Sequence, residues 1–275
     1  MKYKKLKCAP NQQHTYTCYT TNQLLNMRDL WNNKHPHRYM ESVDPKEIWK
    51  YFKKEFQHQC KQERCWITKH FKNIPNANVN SIFSPVAPKI WDENPKYWLS
   101  NFDIEKVMKL YEMKYDYFTF LGATPVDYDT KLGPDEYVNN AMTNFDRKYY
   151  ETHSPIVGIV INTHTNDKPG EHWCAMVIRF HKKECIFFDS YGDKAPRRIK
   201  RFVKDNISDL NYIESKKRHQ YGESECGMYC IYFIIEMLKG RNIETLNKNI
   251  IRDKKMNNLR KELFNSYKDV YGGET

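Results

Sequence analysis

The chain has 275 residues, of which 40% are hydrophobic and 15% aromatic, so it can bury a sizeable core and is not expected to be disordered. Its 45 Lys and Arg against 34 Asp and Glu give a formal net charge of +11, which suits a weak association with nucleic acid through a basic surface but does not specify a fold. No stretch approaches the ~20 apolar residues that span a bilayer, and no apolar segment follows the basic N-terminus, so we expect a protein that is neither secreted nor inserted in a membrane.

The first part of the chain is predicted to be helical. Residues 20–31 place a Thr before apolar side chains at helical spacing, and residues 44–56 begin with Asp-Pro and carry a Glu three residues after the Asp, as helix starts do. Prolines within residues 73–88 then interrupt a stretch rich in Asn and Ser, which marks the best boundary. We therefore predict a helical arm domain over residues 1–85 and a second domain over residues 86–275.

The second part mixes helix and strand patterns. Residues 101–111 carry apolar side chains at helical spacing, and three nearly continuous apolar runs follow at 155–162, 172–180 and 184–189. Such runs are typical of strands that are buried on both faces. The segment 226–238 is apolar on nearly all sides, which predicts a core helix. The predicted fold class is therefore α+β, with one helix buried at the centre of the second domain.

A histidine and an aspartate stand at the ends of two of these strands. If the strands form a hairpin that turns at residues 181–182, His172 lies opposite Tyr191, and Asp189 lies two positions along on the same face. Diagonal neighbours of this kind are about 7–8 Å apart at the backbone, within reach of an imidazole and a carboxylate. The sequence thus predicts a His172–Asp189 pair at one end of the sheet.

The predicted core helix begins with a Cys-Gly pair. Cys226 would meet the positive end of the helix dipole and unpaired backbone N–H groups, which favour the thiolate. Gln220 lies six residues earlier, across a turn at Gly222, where its amide can donate to an oxyanion beside the thiol. His219 is a rival base, although a surface loop position fits it better. Each feature alone is more often a matter of packing, but together they supply a nucleophile, a base, an orienting carboxylate and an oxyanion donor.

The order and spacing of these residues resemble those of the Ulp1-like, adenovirus-protease-like cysteine peptidases. That family has His-Trp, an Asp or Asn seventeen residues later at a strand end, and then Gln-x5-Cys-Gly, and this chain has the same pattern. The resemblance implies an Ulp1-like core, with a central mixed sheet and a buried nucleophile helix. It also implies that His172 is the general base, Asp189 its orienting residue, Gln220 the oxyanion donor and Cys226 the nucleophile of a thiol protease that needs no cofactor.

Within this family, several segments resemble the polyprotein-processing proteases of giant DNA viruses such as African swine fever virus. They include residues 98–118, the approach to His172 and the C-x4-C-W-I-T sequence at 60–68. Asp189 stands where the swine fever protease has Asn, which leaves the pH profile open.

The resemblance further implies cleavage after Gly-Gly, through a tunnel that admits only residues without side chains. Trp173, Trp98 and Asn101 are candidates for lining it, with core packing as the alternative for each tryptophan. Asn162 matches an Asn that precedes the histidine loop of the swine fever relative. The implied partners are viral polyproteins, in the virion core and the host cytoplasm.

Other functions stay open beside polyprotein cleavage. Within the hydrolases, the alternative is removal of a ubiquitin-like modifier, and acyl transfer on a related scaffold is a weaker one. Outside them, the alternative is a basic core or DNA-associated protein with a relict protease fold.

The eight cysteines are scattered along the chain, which favours reduced thiols over a disulfide scaffold. Cys60 and Cys65 lie near His58 and His70 in the sequence, but the spacing does not match a standard zinc finger. Packing in the arm is therefore the favoured interpretation, and we expect no metal. The sequence leaves open whether Cys60 and Cys65 bond to each other.

Overall fold

The chain folds into two units in the computed structural model, which describes residues 7–12, 16–72 and 78–272. One unit comprises residues 1–95 and 261–275, and the other comprises residues 96–260. The sequence predicts a boundary at residue 85, whereas the structure extends the first unit to Pro95 and returns the C-terminal segment to it.

Backbone hydrogen bonds attach the C-terminal segment to the first unit. The Asn265 N–H donates to the Pro85 carbonyl (2.7 Å), and the Ala87 N–H donates to the Asn265 carbonyl (2.8 Å). The buried Asn265 side chain also donates to the Ser84 carbonyl (2.7 Å). Because these partners are far apart in the sequence, no local pattern indicates the pairing.

The elements are numbered in chain order. The first unit contains α1 (Thr21–Lys34), α2 (Pro45–Glu55), α3 (Arg64–Lys69), α4 (Val79–Ile82) and α5 (Ile90–Glu93). The second contains α6 (Asn101–Lys114), β1 (Phe118–Pro125), α7 (Asn140–Thr143), α8 (Arg147–His153), β2 (Ile156–Asn162), β3 (Trp173–Arg179), β4 (Glu184–Phe188), α9 (Arg197–Ile207), β5 (Asn211–Glu214), α10 (Cys226–Leu238) and α11 (Ile243–Asn247). The last two helices are α12 (Asp253–Leu263) and α13 (Tyr267–Tyr271).

The two predicted helices of the arm are confirmed, together with their first turns. The Thr20 hydroxyl accepts a hydrogen bond from the Gln23 N–H, and the Gln23 side chain accepts one from the Thr20 N–H, which is a complete capping box. Asp44 accepts from the Lys46 N–H (2.7 Å) at the start of α2, where Pro45 is the first helical residue.

A partly buried carboxylate organises the core of the first unit. Glu63 accepts hydrogen bonds from the Cys18 N–H (2.9 Å), the Thr17 hydroxyl (2.8 Å) and the Trp49 indole N–H (2.7 Å). Burial raises the pKa of this carboxyl, although the three donors oppose the shift. Rings packed edge to face or stacked fill much of the rest of this core: Trp31, Phe52, Phe56, Trp66 and Phe71.

Four cysteines of the first unit form disulfides, Cys8 with Cys18 and Cys60 with Cys65. The expectation of reduced thiols is therefore wrong for this unit, because scattered positions in a sequence do not reveal which sulfurs meet in space. The Cys60–Cys65 bond also means that neither sulfur is a thiolate ligand in this state. The four free cysteines, all buried and all in the second unit, are Cys174, Cys185, Cys226 and Cys230.

The second unit is built on a mixed sheet, as predicted. The strand order is β1-β2-β3-β4-β5; β1 pairs with β2 and β4 with β5 in parallel, while β2–β3 and β3–β4 are antiparallel. Every residue of β2 and β3 is buried, which explains their nearly continuous apolar sequences. All thirteen residues of α10 are buried as well, and this helix packs against β3.

Across the described ranges, no helix combines the length and apolar character that a membrane crossing requires.

The packing of α10 and β1 on β2 leaves no space beside Gly158. A Cβ at this position would lie 2.9 Å from the Phe118 ring and 3.5 Å from the Ile234 side chain. We expect Gly158→Ala to lower the free energy of unfolding by about 1–3 kcal/mol, the usual cost of overpacking a core, as measured by chemical denaturation. Gly133→Ala is the matched control, because its Cβ would meet only the Glu136 side chain at 3.5 Å. Equal stability of the two variants would contradict this description of the core.

Candidate active site

The predicted pair of His172 and Asp189 forms at the end of the β3–β4 hairpin. Ala175 lies opposite Phe188 and Arg179 opposite Glu184, which is the register that the sequence predicts. His172 immediately precedes β3 and Asp189 immediately follows β4, and the His172 Nε2 lies 2.8 Å from the Asp189 Oδ2. This bond leaves Nδ1 as the imidazole nitrogen that can face a thiol.

Asp189 is held so that its carboxylate cannot turn away from the imidazole. The side chain is buried, and its second oxygen, Oδ1, accepts a hydrogen bond from the Tyr191 N–H (2.7 Å). Both carboxylate oxygens therefore have a partner, and each partner constrains the orientation of the group.

Cys226 is the first residue of α10 and is buried beside His172. The first backbone hydrogen bond at this end of the helix runs from the Tyr229 N–H to the Glu225 carbonyl, so the Cys226 N–H has no partner within the helix. Such an end combines a free N–H donor with the positive pole of the helix, and both stabilise a negative charge on the sulfur or on a bound oxyanion.

The electrostatics of His172 favour its charged form. Burial lowers the pKa of the imidazole, but hydrogen bonding and charge interactions with Asp189 and Cys226 outweigh burial and raise the pKa to about 10. Near neutral pH the imidazole is therefore protonated, and its positive charge lies next to the Cys226 sulfur.

The other free thiols lack these features. Burial raises the pKa of Cys174, Cys185 and Cys230 above the usual thiol range, which keeps them protonated and poorly nucleophilic. Among the described cysteines, Cys226 alone is a free thiol beside a histidine that is paired with a carboxylate.

Gln220 is fully buried and its amide is fixed at both ends. The Ser190 hydroxyl donates to its Oε1 (2.7 Å), so the Nε2 must point the other way. The Nε2 donates to the Gly222 carbonyl (2.8 Å) and to the Tyr191 hydroxyl (3.2 Å). To serve an oxyanion, the amide has to give up one of these two bonds, and the longer bond to Tyr191 is the weaker.

Tyr191 connects the base with the oxyanion donor, a role that the sequence does not indicate. Its ring stacks on the His172 imidazole, with centroids 4.8 Å apart, and its hydroxyl accepts from Gln220 and donates to the Gly222 carbonyl (3.0 Å). The hairpin register identifies Tyr191 as the residue opposite His172, but the pairing of two strands does not predict the hydrogen bonds of the Tyr191 side chain.

A second residue that the sequence does not indicate is Asp253, which holds the loop between Gln220 and Cys226. Its Oδ2 accepts from the N–H groups of Tyr221 (3.2 Å) and Gly222 (2.9 Å). Its Oδ1 accepts from the hydroxyl of Tyr229 in α10 (2.8 Å). The loop is therefore tied both to the nucleophile helix and to the start of α12.

Trp173, Leu99 and Gly227 meet beside the nucleophile. The Trp173 indole N–H donates to the Leu99 carbonyl (3.0 Å), which fixes the ring next to the Trp98–Leu99 segment. A Cβ on Gly227 would lie 3.1 Å from the Leu99 Cβ and 3.4 Å from the Trp173 Cδ1. Glycine after the cysteine thus permits the tryptophan and the leucine to pack directly on the first turn of α10.

The remaining predicted substrate residues have different settings. Trp98 is 39% exposed, and Asn101 is partly exposed at the first position of α6. Asn162 is buried, and its Oδ1 accepts from the N–H groups of His164 (2.9 Å) and Glu171 (3.2 Å). These bonds close the loop that leads to His172, so the contacts of Asn162 are structural, and its contact with substrate stays a prediction.

His219 is not a surface loop residue, contrary to the sequence interpretation, and is fully buried. Its Nδ1 accepts from the Ile251 N–H (3.1 Å), so its Nε2 carries the proton and donates to Asn247 (3.2 Å). Both nitrogens are occupied by structural partners, and burial lowers the pKa of the ring. His219 therefore does not compete with His172 as a base.

Within the part of the chain that the structure describes, no group of three or more His, Cys, Asp or Glu side chains is arranged to hold a metal ion.

Comparisons with known proteins identify the family and the fold. The family described as the Ulp1 protease family, C-terminal catalytic domain, matches residues 123–273. A protein of Acanthamoeba polyphaga mimivirus named as a thiol protease is 24% identical over 94% of this chain and 92% of its own length. A cysteine protease of African swine fever virus is 22% identical over 80% of this chain and 88% of its own length.

The fold is similar to that of a solved viral protease. The crystal structure of an African swine fever virus protease superposes with a TM-score of 0.65 and 16% identity, covering 94% of this chain and 96% of that one. This likeness concerns the fold, while the family match extends over more than half of the present sequence. The chain belongs to the Ulp1 protease family and is a cysteine peptidase.

Proposed function

We propose that the protein is a viral cysteine endopeptidase that cleaves after Gly-Gly in structural or core polyproteins during virion maturation. It acts in the virion core and in the host cytoplasm. The observation that carries the proposal is the His172–Asp189 pair beside Cys226, at the N-terminal end of a buried helix.

In the first step, the Cys226 sulfur attacks the carbonyl carbon of the substrate glycine. His172 holds the thiol proton and donates it to the leaving amine, so that the peptide bond breaks and a thioester forms. Asp189 keeps the imidazole oriented through the 2.8 Å bond to Nε2, and it stabilises the positive charge of the ring.

In the second step, water hydrolyses the thioester. His172, now neutral, takes a proton from the water, and the hydroxide attacks the acyl carbon; the sulfur then leaves as a thiolate while the proton stays on His172, which restores the starting state. In both steps, the Cys226 N–H and the Gln220 amide are the donors to the oxyanion. Donation by Gln220 exchanges its bond to Tyr191 for a bond to the oxyanion.

The packing around Gly227 supports a substrate without side chains at the cleavage site. Trp173 directly follows His172 in the chain, and its indole N–H is bonded to the Leu99 carbonyl. Trp173 and the Trp98–Leu99 segment thus form an aromatic wall beside the base and the nucleophile. A glycine backbone can approach such a wall more closely than any other residue. Trp98 and Asn101 are proposed to extend the wall toward the substrate.

The origin of the relatives supports a viral role. The relatives that are named cysteine or thiol proteases come from mimivirus and African swine fever virus. The first unit, with its aromatic core and basic surface residues, is proposed to hold the polyprotein or a core coated with nucleic acid.

Removal of a ubiquitin-like modifier is the second candidate, because relatives from African swine fever virus carry the name SUMO-1 cysteine protease. A deconjugating enzyme must recognise a globular modifier, whereas a polyprotein protease needs only an extended peptide. A relict protease fold with a binding role is the third candidate, and the intact set of four site residues speaks against it.

Substrate choice distinguishes these candidates. We expect the protein to cleave an extended polypeptide containing Gly-Gly as fast as, or faster than, a SUMO fusion with the same Gly-Gly junction, with every new terminus mapped by mass spectrometry. Cys226→Ser should abolish cleavage, and Cys230→Ser is the matched control that should retain it. Termini without Gly before the cut would contradict the Gly-Gly assignment, and cleavage restricted to the modifier fusion would favour deconjugation.

The pH dependence tests the role of Asp189. Since the Asp189 charge and hydrogen bond raise the pKa of His172, Asp189→Asn should lower that pKa toward the usual value near 6.5. The imidazolium is then lost at lower pH, so the basic limb of kcat/KM should move down by about one pH unit or more. Asp193→Asn, at an exposed residue of the following loop, is the control. An unchanged basic limb in Asp189→Asn would contradict the assignment.

Tyr191 is expected to position the base and the oxyanion donor. Tyr191→Phe keeps the ring on His172 but removes the hydroxyl that contacts Gln220 and Gly222. We expect kcat to fall about five- to tenfold, because the variant loses the hydrogen bond to the Gly222 carbonyl, which persists while Gln220 donates to the oxyanion, with KM and the unfolding midpoint nearly unchanged. Tyr149→Phe, at an exposed tyrosine of the same unit, should have no effect. A change confined to KM or to stability would show that Tyr191 has no role in positioning.

A further inference from the structure

A second concave site lies next to the loop that carries Gln220. It is a cavity of about 760 Å³ within the second unit. The residues that line it come from the segment after β5, from the connection between α11 and α12 and from the first turn of α12, and they include Lys217, Tyr221, Lys248, Ile250, Arg252 and Lys254. Asp253 also lines the cavity, and its carboxylate holds the loop after Gln220; the other lining residues contribute no side chain to the catalytic geometry described above.

The charge of the cavity is strongly unbalanced. Four of its side chains are cationic, and its one carboxylate, Asp253, is occupied by the N–H groups of Tyr221 and Gly222 and by the Tyr229 hydroxyl. Over the described ranges, no carboxylate forms an ion pair with Lys217, Lys248, Arg252 or Lys254. With four cations and one carboxylate, the lining has a net charge of 4 − 1 = +3, which favours an anion in the concavity.

Other basic residues of this unit are arranged differently. On α9, Arg198 and Arg201 both pair with Asp129, and Lys200 pairs with Glu214. These three cations share two carboxylates, which offset most of their positive charge within the fold. With four cations around a single carboxylate, the cavity has a larger local excess of positive charge than this paired cluster on α9.

The rim of the cavity adds an aromatic and an apolar surface. The Tyr221 side chain is 63% exposed, and the Arg218 guanidinium lies over its ring, 5.0 Å from the centroid. Ile250 is 47% exposed on the same cavity. Cations beside an exposed aromatic ring are what single-stranded nucleic acids require, because the cations contact phosphates while bases stack on the ring.

We propose that this cavity binds single-stranded nucleic acid, with Lys217, Lys248, Arg252 and Lys254 contacting phosphates and Tyr221 stacking on a base. The site lies in the second unit and is additional to the substrate-holding role proposed for the first unit. Its test measures binding alone, so its failure would leave the protease proposal intact.

Fluorescence anisotropy of a labelled oligodeoxythymidine of about 20 nucleotides, longer than a typical single-strand site, tests the site on the full chain. The double variant Lys248→Glu, Arg252→Glu should bind at least about tenfold more weakly than the wild type, and the slope of log K against log salt should flatten by about 1.4, or about 0.7 for each lost phosphate contact. Tyr221→Leu should weaken binding about tenfold, through lost stacking, without changing the salt slope.

Two comparisons keep the test specific. Arg197→Glu, Lys204→Glu makes the same change in net charge at exposed residues of α9, and it should bind nearly as the wild type does. Inorganic polyphosphate, which has charge but no bases, should bind equally to the wild type and to Tyr221→Leu. The proposal is overturned if the α9 variant loses as much affinity as the cavity variant, or if Tyr221→Leu binds the oligonucleotide as tightly as the wild type.

Discussion

The hydrogen bond between His172 and Asp189 is the interaction on which the active site depends. It joins the ends of β3 and β4, so its geometry follows from the register of the hairpin rather than from a flexible loop. Because β3 also packs against α10, the same hairpin that holds the imidazole supports the helix that presents Cys226. The sheet, the base and the nucleophile therefore form one rigid arrangement. Because the reacting groups are already oriented, no free energy is spent on ordering them during the reaction.

Around this pair, a network of hydrogen bonds distributes the site over three segments. Ser190 and Tyr191 hold the Gln220 amide, while Asp253 holds the loop that follows it. In the resting state, the amide is bonded to Tyr191 and Gly222 instead of facing an open oxyanion position. Binding of a substrate carbonyl thus replaces one existing hydrogen bond of Gln220. The exchange limits the net gain in free energy, but the buried amide has a hydrogen-bond partner at every stage.

The sequence predicts the parts of this site that depend on local patterns. The hairpin register follows from two apolar strands and a short turn, and it places His172 and Asp189 together; a uniformly apolar helix after Cys-Gly places Cys226 at a buried helix start. What the sequence does not reveal depends on contacts between distant residues. Hydrophobic periodicity does not indicate which separate segments of a chain will come into contact. Three contacts here are of this kind: the Cys8–Cys18 disulfide, the pairing of Asn265 with Pro85 and Ala87, and the bonds from Asp253 to Tyr221 and Gly222. His219 shows the same limit, since a loop histidine between polar residues proves to be a buried structural group.

Selective reaction of one thiol tests the central claim most directly. An electrophilic probe that carries a Gly-Gly peptide can be offered to the intact chain, and the modified cysteine can be identified by mass spectrometry. The account predicts modification at Cys226, none at the buried thiols Cys174, Cys185 and Cys230, and loss of the reaction in His172→Ala. Modification of another cysteine, or undiminished reaction of Cys226 without His172, would contradict it.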